Sequence, residues 1–134
     1  MKLSTFMSIV AIFAFVFGLS YLFAPVQANL PFGITLDNTA QWVCRYLGGA
    51  YIGIAILVWF ARKVEEGEAL RAILLGGFIM SAIGIVLATL DSLYGGGNAF
   101  VWSFVAVYIL LTLGFGYFRF VRCLGAWRPN FKEE

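Results

Sequence analysis

Arg45 and Asp91 are the first candidates for chemistry, because they lie at the edges of long apolar stretches. Arg45 is spaced i, i+4, i+8 with Gly49 and Gly53, which places the three residues on one helix face. A charge inside a membrane costs free energy unless it is paired or faces the bundle interior. We therefore predict that Arg45 points into the bundle and forms an ion pair with Asp91.

Four more polar residues fall near this predicted pair and complete a candidate polar cap: Tyr94, Asn98, Gln41 and Asp37. A structural interpretation is that the pair fixes the register of two helices. A functional interpretation is a small pocket for an anionic headgroup, a quinone-like ring or a small solute. In that pocket the planar guanidinium would supply bidentate recognition. Both interpretations stay open at this point.

Groups for catalysis and metal binding are missing from the sequence. The chain has no His, so it has neither a Ser-His-Asp nor a Cys-His set. The two cysteines, Cys44 and Cys123, are predicted near opposite ends of the spans, too far apart for a disulfide. The glycine run 95–97 lacks the Lys-Ser/Thr of a phosphate-binding loop. We therefore predict no catalytic residue, no metal site and no cofactor.

The composition indicates a membrane protein. Of 134 residues, 62% are apolar and 12% are charged, whereas a soluble domain carries roughly 25% charged residues. The mean hydropathy is +0.91. A net charge of +2 is too small for binding a polyanion. These values exclude an ordinary soluble enzyme and a nucleic-acid binder.

Four uncharged stretches are long enough to cross a bilayer. A helix needs about 20 apolar residues to span the hydrocarbon core, and backbone polar groups in lipid require helix. The first stretch also resembles a secretory signal ending at Ala28, but its apolar length favours a membrane span. The sequence predicts an all-α, four-helix membrane bundle in one domain, 1–134, with a tail at 119–134 and spans Ser4–Ala24, Gln41–Ala61, Ala72–Leu90 and Phe100–Phe118.

Basic residues predict the orientation of the bundle. Of the nine Lys and Arg residues, all except Arg45 fall on one side of the predicted bilayer. Such a bias marks the cytoplasmic side. We therefore predict a multi-pass protein of the plasma membrane (the inner membrane in bacteria) with both termini in the cytoplasm.

Small residues recur at helical spacing and predict where helices touch. Gly49 and Gly53 form such a pair in the second span, and the third span carries a longer series: Gly77, Ser81, Gly84 and Ala88. Two explanations stay open. These faces either pack inside the bundle or dock a helix of a partner.

Three motifs give the chain a resemblance to small bacterial four-span membrane proteins of unknown function. They are Leu22–Pro25, Arg45–Gly49 and Trp59–Arg62, and the resemblance covers roughly residues 6–120. It implies the fold and no activity. With no catalytic set, the sequence favours a non-catalytic accessory or assembly subunit, whose partners are the lipid bilayer and other membrane subunits or further copies of itself. The alternative is a homo-oligomeric binder or transporter of a small solute or a lipid- or quinone-like ligand.

Overall fold

The computed structural model describes residues 2–64, 67–94 and 98–122. The described residues contain no strand and form five α-helices: α1 (Leu3–Phe23), α2 (Pro25–Asn29), α3 (Asn38–Ala61), α4 (Glu68–Tyr94) and α5 (Trp102–Gly116). A short 3-10 turn, Ala99–Val101, leads into α5, and a π-helical turn, Tyr117–Arg122, continues it. The glycine run 95–97, Cys123 and the rest of the predicted tail lie outside the described residues.

Four helical segments in the described chain are long and apolar enough to cross a membrane: α1, α3, α4 and the segment Ala99–Val121. Their outer surfaces carry exposed aliphatic side chains such as Ile12, Val86 and Leu110. A water-soluble protein rarely exposes so much contiguous apolar surface. The predicted all-α architecture with four membrane-length helices is confirmed.

The helices associate mainly as two pairs, α1 with α3 and α4 with α5. Gly18 and Gly48 let α1 and α3 approach closely, since a Cβ on Gly48 would lie 2.7 Å from the Gly18 carbonyl oxygen. In the other pair, the position of a Cβ on Gly77 lies 2.7 Å from the Phe115 ring. Because α3 makes little contact with α4, the two helix pairs are not packed together along this side of the bundle.

One end of the bundle, here called the basic end, carries Lys2, Arg62 and Arg71. Its interior is filled by a cluster of large apolar side chains that closes the space between the two helix pairs. Its members include Phe6, Met7, Leu70, Leu74, Phe115 and Phe118. At the rim, Arg62 donates a hydrogen bond to Ser8 Oγ (2.9 Å), and its guanidinium lies 3.5 Å from the Trp59 ring centroid.

The opposite end, here called the capped end, is covered by a cap formed by residues 24–33. Pro25 starts α2, a 3-10 turn follows at Leu30–Phe32, and Gly33 ends the cap in the left-handed region with φ 71°. Asn98 fixes this cap to the start of α5. Its backbone N–H donates to Phe32 O (2.8 Å), and its Nδ2 donates to Pro31 O (2.9 Å).

Asn98→Ala is expected to lower the free energy of unfolding by about 1 kcal/mol, because it removes two side-chain hydrogen bonds. One is the bond to Pro31, and the other is accepted by Asn98 Oδ1 from Phe100 N. Thermal unfolding in detergent micelles measures this loss. Asn38→Ala is the matched control, because the exposed Asn38 side chain makes no hydrogen bond within the described chain. Equal stability of the two variants would contradict the role given to Asn98.

Candidate ligand-binding site

The predicted ion pair between Arg45 and Asp91 is not formed in this structure. The Arg45 guanidinium lies instead 5.0 Å from the ring centroid of Trp42, one turn away on the same helix. Its Nε is buried and has no hydrogen-bond partner among the described residues. Asp91 is exposed at the far end of α4. The pair fails because α3 and α4 make too little contact to bring the two charges together.

The other predicted cap residues are separated as well. Asp37 caps α3 by accepting a hydrogen bond from Ala40 N (2.7 Å), and Gln41 donates to Leu36 O (3.4 Å). Asn98 holds the cap at residues 24–33, and Tyr94 is 84% exposed. Asp37, Gln41 and Asn98 therefore make separate hydrogen bonds, Tyr94 makes none within the described chain, and the four do not surround one pocket.

The small residues divide into inward and outward positions. Ser81, Gly84 and Ala88 are buried, and Gly77 and Gly84 meet rings of α5. Gly49 and Gly53 are exposed, and a Cβ on either would meet nothing within 4 Å. The helical spacing therefore predicted contacts at Gly49 and Gly53, which do not pack within the described chain. The packing residue is the neighbouring Gly48, which faces α1.

A cavity of about 480 Å³ lies between the two helix pairs, at the middle of α1 and α5 and in the halves of α3 and α4 nearer the basic end. These four helices all contribute to its wall. In α5 the lining runs from Phe104 to Phe115, eleven residues apart. The cavity therefore extends about 16 Å along the helix axis. Its volume falls within the range of about 300–1,000 Å³ that is typical of small-molecule sites.

Both ends of the cavity are closed by side chains. At the basic end, Val58 and Phe115 belong both to the cavity wall and to the packed apolar cluster. At the capped end, the Phe32 ring packs against Phe104 with centroids 4.5 Å apart, and Phe104 meets Phe17 edge-on at 6.1 Å. Apolar side chains therefore lie between the cavity and each end of the bundle.

The cavity opens where its lining residues are exposed, chiefly on α3 and α4 and also at Phe13 of α1, which is 45% exposed. On α3 the lining residue Leu57 is 53% exposed. On α4, Ala72, Gly76 and Met80 line the cavity at intervals of four residues, and all three are exposed. Gly76 and Met80 lie inside the apolar part of α4, whereas Ala72 and Leu57 lie four residues from the basic-end termini of α4 and α3. In a bilayer this side of the cavity therefore faces hydrocarbon in the half of the membrane nearer the basic end.

The polar groups in this wall are three hydroxyls, and no charged residue of the described chain lines it. Ser81 Oγ is used locally, since it donates to Gly77 O at 2.7 Å. Tyr51 and Tyr108 face each other from α3 and α5 with their hydroxyl oxygens 3.2 Å apart. Either hydroxyl can be the donor, so the pair has one O–H left over.

Sequence reasoning missed Tyr51 and Tyr108. Their positions could have identified them. Tyrosines concentrate at the ends of membrane spans, where the hydroxyl reaches water. Both of these tyrosines instead lie well inside their spans. A buried hydroxyl needs a partner, so two mid-span tyrosines could have indicated a contact between the two spans.

Metal chemistry finds no support in the described part of the chain, where no three His, Cys, Asp or Glu side chains are grouped. Cys44, which is half-buried in α3, is a free thiol. The aromatic rings and the two facing hydroxyls therefore define the chemistry of the cavity. They suit an apolar molecule with few polar atoms.

Fold and cavity together define a class: a small helical membrane protein with an apolar cavity that opens sideways between its helices. The chain matches no known protein-family model, and it matches neither a curated protein nor a solved structure. The resemblance to small bacterial four-span proteins stays a prediction.

Proposed function

We propose that this chain is a non-catalytic membrane protein that binds a lipid-soluble molecule between its two helix pairs. The observation that carries the proposal is the cavity of about 480 Å³, closed at both ends and open chiefly at α3 and α4. Since its opening faces hydrocarbon, a ligand enters and leaves through the bilayer. Because the lining is apolar, we expect the ligand to be a lipid- or quinone-like molecule and not a charged solute.

The proposed setting is the plasma membrane, which in bacteria is the inner membrane, with both termini in the cytoplasm. The support is the position of Lys2, Arg62 and Arg71 at one end of the bundle. Basic residues concentrate on the cytoplasmic side of membrane proteins. In this orientation the cap at residues 24–33 faces the outside.

A second candidate function is that of an accessory subunit of a larger membrane complex, or of a self-associating protein. It is favoured by the exposed face of α3 around Gly49 and Gly53, where a Cβ would meet open space. Small residues spaced by four let two membrane helices approach closely. The two candidates use different surfaces and are therefore separable by mutation.

Native mass spectrometry of protein extracted gently from its own membranes tests both candidates. The wild-type protein is expected to carry one small apolar molecule per chain. Gly76→Leu is expected to abolish this adduct, because Gly76 lines the cavity and its Cβ position is open. Gly49→Leu is the matched control, an equal change at an open glycine outside the cavity, and it is expected to keep the adduct.

Two results would decide against ligand binding. One is a wild-type protein without any bound molecule, and the other is an adduct that survives Gly76→Leu. Loss of a co-purifying protein subunit in Gly49→Leu but not in Gly76→Leu would instead support the accessory-subunit function.

A further inference from the structure

The hydroxyl pair of Tyr51 and Tyr108 offers a hydrogen-bond donor inside an otherwise apolar cavity. The two oxygens are 3.2 Å apart, so one O–H donates to the other residue's oxygen. The second O–H has no acceptor among the described residues. A donor in an apolar environment is costly when it stays unpaired, so an acceptor on a ligand would be stabilised here.

The absence of charged residues from the described lining of the cavity constrains the ligand further. Arg45 does not line the cavity, and its guanidinium lies over Trp42. An anionic headgroup would therefore enter an apolar space without a counter-charge, which is strongly unfavourable. The acceptor must belong to an uncharged group.

We infer that the cavity binds a neutral lipid-soluble carbonyl compound, whose carbonyl oxygen accepts a hydrogen bond from the Tyr51–Tyr108 pair. This inference rests on the proposed ligand-binding function and names its chemical class. A carbonyl provides an acceptor without adding a donor that would need its own partner. Two sources share this chemistry, a quinone and the ester of a neutral lipid.

Aromatic residues near the pair can accommodate a flat ring. Phe17 and Phe104 line the same end of the cavity, and the Tyr21 and Tyr51 rings are neighbours with centroids 6.5 Å apart. Aromatic groups gain from offset-stacked or edge-on contacts at such separations. A quinone would use the lining rings of Phe17, Tyr51 and Phe104, whereas an ester would use the hydroxyl pair alone.

The test compares three probes in nanodiscs by titration calorimetry. They are a decyl-substituted benzoquinone, a decyl ester of acetic acid and decylbenzene, which has a similar tail and no oxygen. The double variant Tyr51→Phe/Tyr108→Phe keeps the rings and removes both hydroxyls. We expect it to weaken binding of the carbonyl probes about tenfold and to leave decylbenzene binding unchanged.

Tyr21→Phe is the matched control, because Tyr21 adjoins Tyr51 and does not line the cavity. It is expected to bind all three probes as the wild type does. Weakening confined to the quinone would narrow the class to quinones, and weakening of both carbonyl probes would support the shared chemistry. Unchanged binding of both, or an equal loss for decylbenzene, would overturn the inference.

Failure of this inference is distinguishable from failure of the proposed function. One outcome is that the probes bind the wild type and the double tyrosine variant equally well but fail to bind Gly76→Leu. In that case the cavity binds ligands without selecting carbonyls. If no probe binds the wild type, or if Gly76→Leu binds every probe normally, the ligand-binding function and the inference both fall.

Discussion

Gly48→Ala is expected to destabilise the protein by about 2 kcal/mol or more, since overpacking a close helix contact typically costs 1–3 kcal/mol. A Cβ on Gly48 would lie 2.6 Å from the Leu22 backbone nitrogen and 2.7 Å from the Gly18 carbonyl oxygen. Both contacts are with backbone, so no side chain can rotate away. The new methyl group must push α1 and α3 apart along their length.

Gly49→Ala provides the control at the next position of the same helix. Its Cβ would meet nothing within 4 Å, and alanine loses less backbone entropy than glycine on forming a helix. We expect unchanged or slightly increased stability. Thermal unfolding in micelles, followed by circular dichroism, measures both variants. Unfolding of both at the same temperature would contradict the packing of α1 on α3 described above.

Gly84→Ala is expected to destabilise the contact between α4 and α5 and to damage the ligand site. The position of its Cβ lies 2.5 Å from two carbons of the Tyr108 ring. The ring must therefore move, and movement separates its hydroxyl from that of Tyr51. We expect a loss of about 1–3 kcal/mol in stability and weaker binding of the carbonyl probes.

A double variant isolates the cause of this effect. In Gly84→Ala/Tyr108→Leu the smaller side chain makes room for the added methyl group. We expect stability to recover by part of the loss, as a coupling between contacting residues requires. Carbonyl binding should stay weak, because one hydroxyl of the pair is absent. Strictly additive losses in stability would contradict direct contact between the two residues.

The four membrane segments were predictable from the sequence, since charge-free apolar stretches leave the chain few alternatives. The residues at which these segments begin and end were harder to predict. The second predicted span began at Gln41, whereas α3 begins at Asn38 under the Asp37 cap. The third was predicted to end at Leu90, whereas α4 runs on to Tyr94. Helices extend past the apolar stretch because capping and hydrogen bonding, not hydropathy, set their ends.

The site was not predictable to the same degree. Spacing alone cannot tell which of Gly48 and Gly49 faces α1, because the two differ by only 100° around the helix. The predicted Arg45–Asp91 pair assumed that the second and third spans lie in contact, whereas α3 packs mainly on α1 and α4 mainly on α5. The cavity follows from that pairing, which is a long-range property that periodicity does not contain.

The most direct test of ligand binding is to locate a bound molecule within the protein. A decyl-substituted benzoquinone with a photoreactive diazirine on its tail can be cross-linked in nanodiscs and mapped by peptide mass spectrometry. We expect saturable labelling of cavity residues such as Ile54, Ile73 and Leu111, and its loss in Gly76→Leu. Labelling confined to lipid-facing residues such as Val86 and Leu110, and insensitive to excess unlabelled quinone, would contradict ligand binding in the cavity.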